Sequence, residues 1–367
     1  MIEPDLPLIE LHRHLDGNVR LATILDLGRE HNLPLPAWDL EGLRPHVQVT
    51  VPQPGVMAFI AKFEWLTGVM VNYDACRRIA YENVEDAKRE GMDYIELRFS
   101  PWFMVAQRMA TTLVAQRMAT TLVAQRMATT LAEAHSLDPA GVTEAVVEGI
   151  QAGRRDFSMK VNLIGILSRT YGPATAAKEL SALSSQREHI VALDLAGDEA
   201  NFPGELFREH FRTARENGWH VTVHAGESAG AESIWQAIRE LGAERIGHAL
   251  HAVDDPALMA YMVEHHIGVE SCLTSNVQTS CVPDYRSHPL RRFLEAGIPA
   301  TINSDDPGIS GIDLRHEYEV AAPKAGLTRE QIRQAQANAL EAAFLTEEEK
   351  RSLQSRVSSS RLFPAAC

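Results

Sequence analysis

Short β-branched and apolar runs alternate with amphipathic stretches along most of the chain. Runs of strand length occur at Leu8–His12, Tyr94–Phe99, Lys160–Leu167, Ile190–Leu195, Trp219–His224, Arg245–His248, Gly268–Cys272 and Ala300–Ser304. Between them lie helical patterns at Asp74–Glu90, Ala140–Arg155, Ala174–Leu183, Gly204–Asn217, Ser228–Leu241, Pro256–His265 and His288–Ala296. Strands that alternate with helices predict a parallel sheet, and eight such units predict an α/β fold closed as a (β/α)8 TIM-type barrel rather than an open doubly wound sheet. The turn-rich stretch 32–55 reads as an excursion between the first strand and a helix. After Ser304 the loop DDPGISG leads into Arg315–Lys324 and into the helical patterns Thr328–Ala343 and Thr346–Val357, extra peripheral helices that close off the barrel. No Ser/Gly/Pro-rich linker divides the chain, so residues 1–367 are expected to form a single catalytic barrel domain.

One segment breaks the pattern. Residues 105–131 read VAQRMATTL three times without variation, whereas natural solenoid repeats run from about 20 residues upward and diverge. A nine-residue step turns a helix by about 900°, half a turn beyond two full ones, so successive copies present their apolar residues on opposite faces. The composition favours helix, yet no regular element buries all three copies on one side. The insert follows RFSP at the end of the second strand and so enters a loop on the face where barrel enzymes work. It is expected to project outward as a mobile appendage and to leave that face assembled.

Composition narrows the partners. The apolar fraction of 45% is enough for a large core, and the net charge of −14 repels phosphate backbones and anionic membrane surfaces, so neither nucleic acid nor membrane is an expected partner. The insert contributes three Arg and no acid. The N-terminal MIEPDLPLIELHRHLDG does not read as a secretory signal, and no apolar run reaches the roughly 18 residues of a span. Cys76, Cys272, Cys281 and Cys367 are scattered with no C-x-x-C pair, which fits a reducing cytoplasm. No obligate protein partner is evident.

The strand ends carry the candidate chemistry, because barrel active sites form at the C-terminal ends of the strands. The first strand ends in His12-Arg13-His14, whose i and i+2 side chains project to one side and can reach one ion. The fifth, WHVTVHAGES, places His224 at its tip and Glu227 in the following turn, with His220 lower on the strand and structural. The sixth offers His248, and the eighth, TINSDDPG, offers Asp305 and Asp306. Three His and one Asp from strands one, five and eight make an N/O donor set suited to Zn²⁺, one ion per chain, which lowers the pKa of a bound water toward about 7. A nearby Glu can then donate a proton to the substrate.

HRHLDG, RFSP, DLAGDE, TVHAGE, IGH, SCLTSN and SDDP, in this order, resemble the adenosine deaminases of bacteria; only the triplicated insert has no counterpart. The resemblance implies a zinc-dependent aminohydrolase that converts adenosine to inosine and ammonia. It implies metal ligands His12, His14, His224 and Asp305, with Glu227 protonating N1 of the purine. His248 would orient or deprotonate the attacking water and stabilise the charge that develops on its oxygen. Asp306 would bond N7, the backbone N–H of Gly197 would reach N3, Asp16 would hold the ribose 5′-hydroxyl, and His14 would also border the substrate. Two departures are small: Ala249 stands where GHG is usual, and Ser304 where Thr is commoner.

Adenine deaminase on the same scaffold is the nearest alternative; that relative typically carries a glutamate where this chain has Asp16. AMP is disfavoured because no basic cluster lies near the strand ends. Binuclear barrel hydrolases use a lysine from the fourth strand, which here ends in DLAGD. A non-catalytic relative would have lost Glu227 or a ligand, and none is lost. A catalytically impaired variant, damaged by the insert, ranks below these.

Overall fold

A computed structural model describes residues 1–105 and 137–362, with side chains through Val357. Except for Val105, the triplicated insert, and with it the expected outward appendage, lies outside the described residues. Eight strands form one sheet in sequence order: β1 Ile9–His14, β2 Tyr94–Phe99, β3 Lys160–Ser168, β4 Ile190–Ala196, β5 His220–Ala225, β6 Arg245–His248, β7 Gly268–Ser271 and β8 Ala300–Ile302. Every neighbouring pair from β1–β2 to β7–β8 is parallel. The barrel is therefore the one expected.

The seam between β8 and β1 is closed by a single parallel bridge, Arg13 to Asp305. There the His14 N–H donates to the Asp305 carbonyl and the Asp305 N–H donates to the His12 carbonyl, both at 2.9 Å. Side chains replace the rest of the ladder: Asn303 Oδ1 accepts from the Leu11 N–H at 3.1 Å, and Glu10 Oε2 accepts from the Ser304 N–H at 3.0 Å. This substitution explains why β8 stops at Ile302 instead of Ser304. β1 runs on to His14 rather than ending at His12, and its register on β2 shifts between Glu10 and Arg13, the signature of a bulge that re-aims side chains.

Around the strands, the helices Tyr73–Arg89, Pro139–Phe157, Pro173–Ser184, Arg208–Glu216 and Pro256–Glu264 bury their apolar faces in one continuous core, and Arg329–Ala342 divides its face between that core and a smaller cluster with Ile9, Leu11 and Tyr94. Asn72, Asp138 and Asp255 cap three of them by accepting backbone N–H bonds, and Thr328 with Gln331 forms a capping box on a fourth. Several expected helical segments also differ, two of them with a visible cause. The excursion 32–55 contains a helix, Leu40–Val47, whose Pro45 hid it. The expected Ser228–Leu241 helix begins only at Ala231 and passes into a π turn at Ala237–Leu241, because the backbone N–H groups of 226–229 are taken by the Glu199 carboxylate. Among the described residues, no helix is long and apolar enough to cross a membrane.

The barrel interior is charged rather than layered with Val, Ile and Leu as is usual. Glu270 on β7 binds Arg98 (2.7 Å), Arg245 (2.7 Å) and the Thr222 hydroxyl (2.8 Å); Arg98 continues to Asp194 (2.8 Å) and Arg245 to Glu96 (2.5 Å). Below them, Phe344 sits under the Arg245 guanidinium and stacks on His220, which pairs with Glu244 at the exposed floor of the barrel. His220 is thus away from the strand ends, as expected.

Candidate active site

At the C-terminal ends of the strands, His12, His14, His224 and Asp305 converge, each offering one ligand atom within 4.8 Å of the others. Asp305 Oδ1 lies 3.3 Å from both His12 Nε2 and His14 Nε2, and the Nε2 atoms of His14 and His224 are 3.2 Å apart. Arg13, between the two histidines, points outward to form a bidentate pair with Glu90 at 2.8 and 2.9 Å. Gly247 on β6 is required for this packing, since a Cβ there would lie 2.9 Å from His12 Cε1.

The donor set fits a divalent cation. His12 Nε2 is buried with no hydrogen-bond partner in the protein, and it faces the cluster. Burial and Arg98 oppose a charge on His12, yet Asp305 and Glu270 outweigh them and lift its pKa to about 9, so the surroundings favour positive charge at that point. Both rings are aimed from behind: Glu270 Oε2 holds His12 Nδ1 at 2.6 Å, and Asp194 holds His224 Nδ1 at 3.0 Å. Burial alone would raise the carboxyl of Glu270, but Arg98 and Arg245 hold it well below the usual range; His224 and Arg98 do the same for Asp194.

Glu227 and His248 stand beside the cluster, with Glu227 Oε2 at 3.8 Å from His248 Nε2 and Asp305 Oδ2 at 3.9 Å from the same nitrogen. Burial, reinforced by the charges of Asp305 and Glu199, pushes the Glu227 carboxyl up to about 8. The Glu199 carboxylate lies under its turn and accepts the N–H groups of Gly226 (2.6 Å), Glu227 (3.1 Å), Ser228 (2.8 Å) and Ala229 (3.0 Å), a nest that fixes the Glu227 backbone. His248 and Asp305 sit at φ +65° and +62°, a left-handed strain of the kind that gathers at working sites. Ala249, where glycine is usual, also takes a left-handed φ of +52°.

Asp16 and Asp306 complete the group. Each has a buried Oδ1 with no hydrogen-bond partner in the protein. Burial raises Asp16 to about 7, and burial with Asp305 and Asp16 raises Asp306 well above the usual range. Gly17 leaves the room Asp306 needs, since a Cβ there would collide with its Oδ1. A cavity of about 330 Å³ lined by His14, Asp16, Phe63, Ser100, Tyr171 and Gly197 meets a smaller one of about 70 Å³ that reaches Glu227, His248, Asp305 and Asp306. No Lys or Arg lines either cavity among the described residues.

The metal-ligand, catalytic and substrate-contact candidates read from the sequence thus come together in one place, with only His220, expected to be structural, elsewhere. Sequence reasoning missed the residues that hold them: Asp194, Glu270 and Arg98 inside the barrel, Glu199 under the turn, and Asn276 with His288 behind His248. Arg98, Asp194, Glu199 and Asn276 stand in the RFSP, DLAGDE and SCLTSN motifs and were within reach; Glu270 and His288 are isolated polar residues whose partners come from distant parts of the chain.

Three histidines and an aspartate thus gather at the mouth of a parallel eight-stranded barrel. The fold matches an adenine deaminase from Arthrobacter aurescens (TM-score 0.79, 22% identity, 97% of this chain and 99% of that one). It also matches an amidohydrolase from Burkholderia ambifaria with bound Zn (TM-score 0.79, 24% identity, 97% and 91% covered) and an N6-mAMP deaminase from Arabidopsis (TM-score 0.76, 24% identity, 97% and 98% covered). In sequence, residues 7–360 match the adenosine deaminase family. Curated adenosine deaminases from Klebsiella pneumoniae and Escherichia coli are 58% and 55% identical over 97% of this chain and 99% of their own lengths. The chain belongs to the adenosine deaminase family.

Proposed function

We propose that the protein hydrolytically deaminates adenosine, and 2′-deoxyadenosine, to the inosine nucleoside and ammonia. The observation that carries this is the match between donors and ring nitrogens. N1, N3 and N7 of adenosine are all hydrogen-bond acceptors, so a site for it needs three donors around the ring. The carboxyl of Glu227, raised to about 8 by burial and by the charges of Asp305 and Glu199, keeps its proton at neutral pH and serves N1. Asp306, whose carboxyl burial and the neighbouring Asp305 also raise well above the usual range, serves N7, and the Gly197 backbone N–H serves N3.

His12, His14, His224 and Asp305 are assigned to the metal, and Zn²⁺ is the ion that their nitrogen and oxygen donors suit. Bound there, Zn²⁺ supplies Lewis acidity that lowers the pKa of a water toward about 7. Glu227 donates its proton to N1, which draws electron density from C6. Water oxygen bonds to C6 with His248 stabilising the charge on that oxygen; one water proton restores the Glu227 carboxyl, the other goes to N6, and the C6–N6 bond breaks to release ammonia. Asp16, facing the larger cavity, holds the ribose 5′-hydroxyl, and that contact separates a nucleoside from free adenine. The absence of any cation among the described lining residues supports a nucleoside over AMP.

Turnover of adenosine, adenine and AMP followed by ultraviolet absorbance, with and without a chelator and with metal analysis alongside, tests the reading. Adenosine is expected to be the fastest of the three, and the chelator to abolish its loss. Faster turnover of adenine would replace the nucleoside with the base.

A further inference from the structure

Behind His248 runs a chain of three hydrogen bonds whose polarity is set at its far end by a backbone amide. The Leu290 N–H donates to His288 Nδ1 at 3.1 Å, so that nitrogen must carry a lone pair. His288 is buried, and burial lowers its pKa to about 3, so the ring is neutral and its proton sits on Nε2. That N–H donates to Asn276 Oδ1 at 3.1 Å, which turns the amide nitrogen of Asn276 toward His248. Asn276 Nδ2 donates to His248 Nδ1 at 3.1 Å and reaches Glu227 Oε1 at 3.5 Å.

We propose that Asn276 and His288 are positioning residues that fix His248 as the Nε2–H tautomer, so that its ring enters the reaction as a hydrogen-bond donor and not as a base. The Nε2 atom faces Glu227 Oε2 and Asp305 Oδ2. The opposite tautomer would set His248 Nδ1–H against Asn276 Nδ2–H. Turning the amide over would only move the conflict to His288 Nε2–H, and turning that ring's proton would set Nδ1–H against the Leu290 amide. Each buried donor left facing a donor costs roughly 1–3 kcal/mol. A donor at this position stabilises negative charge on the oxygen that adds to C6, whereas removal of that oxygen's proton needs another acceptor.

The inference rests on the reading of His248 as a residue of the reaction, and the test separates the two. Histidine ¹⁵N spectra of the metal-loaded enzyme, with His248 assigned by a His248→Gln variant, are expected to show a pyrrole-like Nε2 and a pyridine-like Nδ1. Asn276→Asp keeps the shape but accepts from Nδ1, so it is expected to transfer the proton to Nδ1. It should also lower kcat by about 10²- to 10⁴-fold, as wrong-tautomer variants do elsewhere, with KM for adenosine changed by less than about threefold. A wild-type spectrum with the proton on Nδ1 overturns the inference without any variant having to fold, as does an Asn276→Asp enzyme that keeps both the tautomer and its kcat. If His248→Gln itself keeps wild-type kcat, it is the placement of His248 in the reaction that fails.

Discussion

Replacing Glu270 by Gln tests the charged barrel interior and the metal cluster together. The substitution keeps the shape but removes the negative charge shared by Arg98, Arg245, Thr222 and His12, all within 2.6–2.8 Å. Breaking a buried ion pair costs about 3–5 kcal/mol. The lower end applies, because Arg98 keeps Asp194 and Arg245 keeps Glu96. At about 2 °C per kcal/mol for a large domain, the metal-free variant should melt about 6 °C below the wild type. Loss of the carboxylate behind a ligating histidine also weakens metal binding about 10- to 100-fold. In an excess of metal 1,000 times the wild-type Kd, that removes up to about 2.7 kcal/mol more of linked stability. The gap between variant and wild type should therefore widen when metal is added. Thermal unfolding with and without chelator, alongside a competitive chelator titration, measures both parts. Equal melting points in chelator would refute the buried-pair argument, and equal metal affinity would refute the claim that Glu270 aims His12.

Three further outcomes are expected. Glu227→Gln should keep one metal per chain and lose about 10²- to 10⁴-fold or more in kcat, the range of a general acid; near wild-type turnover with metal bound would show the donor to be misassigned. Glu317 is fully buried, and burial raises its carboxyl to about 8 despite the Thr274 N–H beside it. Its protonated form stabilises the fold fully below the unfolded pKa near 4.5, and that contribution is lost as pH rises through about 8. Glu317→Gln should therefore gain in melting temperature relative to wild type between pH 5 and pH 8, and a gap independent of pH would contradict the raised pKa. Deleting residues 105–131, which contain none of the proposed site residues, should change kcat/KM by less than about tenfold; a larger rise would mean that the insert obstructs the cavity.

The sequence carried the barrel and the front of the site because both have short-range signatures. The apolar runs are short and bounded by helical patterns, so the sequence places each strand end to within about two residues. His12 and His14 are two apart, and Asp305 and Asp306 sit in a turn. What could not be read depends on partners across the barrel. Arg98 and Asp194 each fall in a quoted motif, RFSP and DLAGDE, but nothing local says that they are 2.8 Å apart. Asn276 closes the SCLTSN motif, but neither it nor His288 reveals its partner until β6 brings His248 against Asn276. The late start of the helix after β5 was also hidden, because it follows from a carboxylate 27 residues away capturing the Gly226 amide.

The seam between β8 and β1 has a kinetic consequence. Two of the proposed ligands, His12 and Asp305, belong to opposite ends of the chain and share the backbone bonds that close the barrel. The cluster therefore cannot exist until the last strand has found the first, the contact of longest loop and slowest formation in the fold. A cation held by both works as a clasp on a closed ring. It should act mainly on the rate at which the ring opens and little on the rate at which it forms, so metal loading should lengthen the lifetime of the folded enzyme more than it hastens refolding.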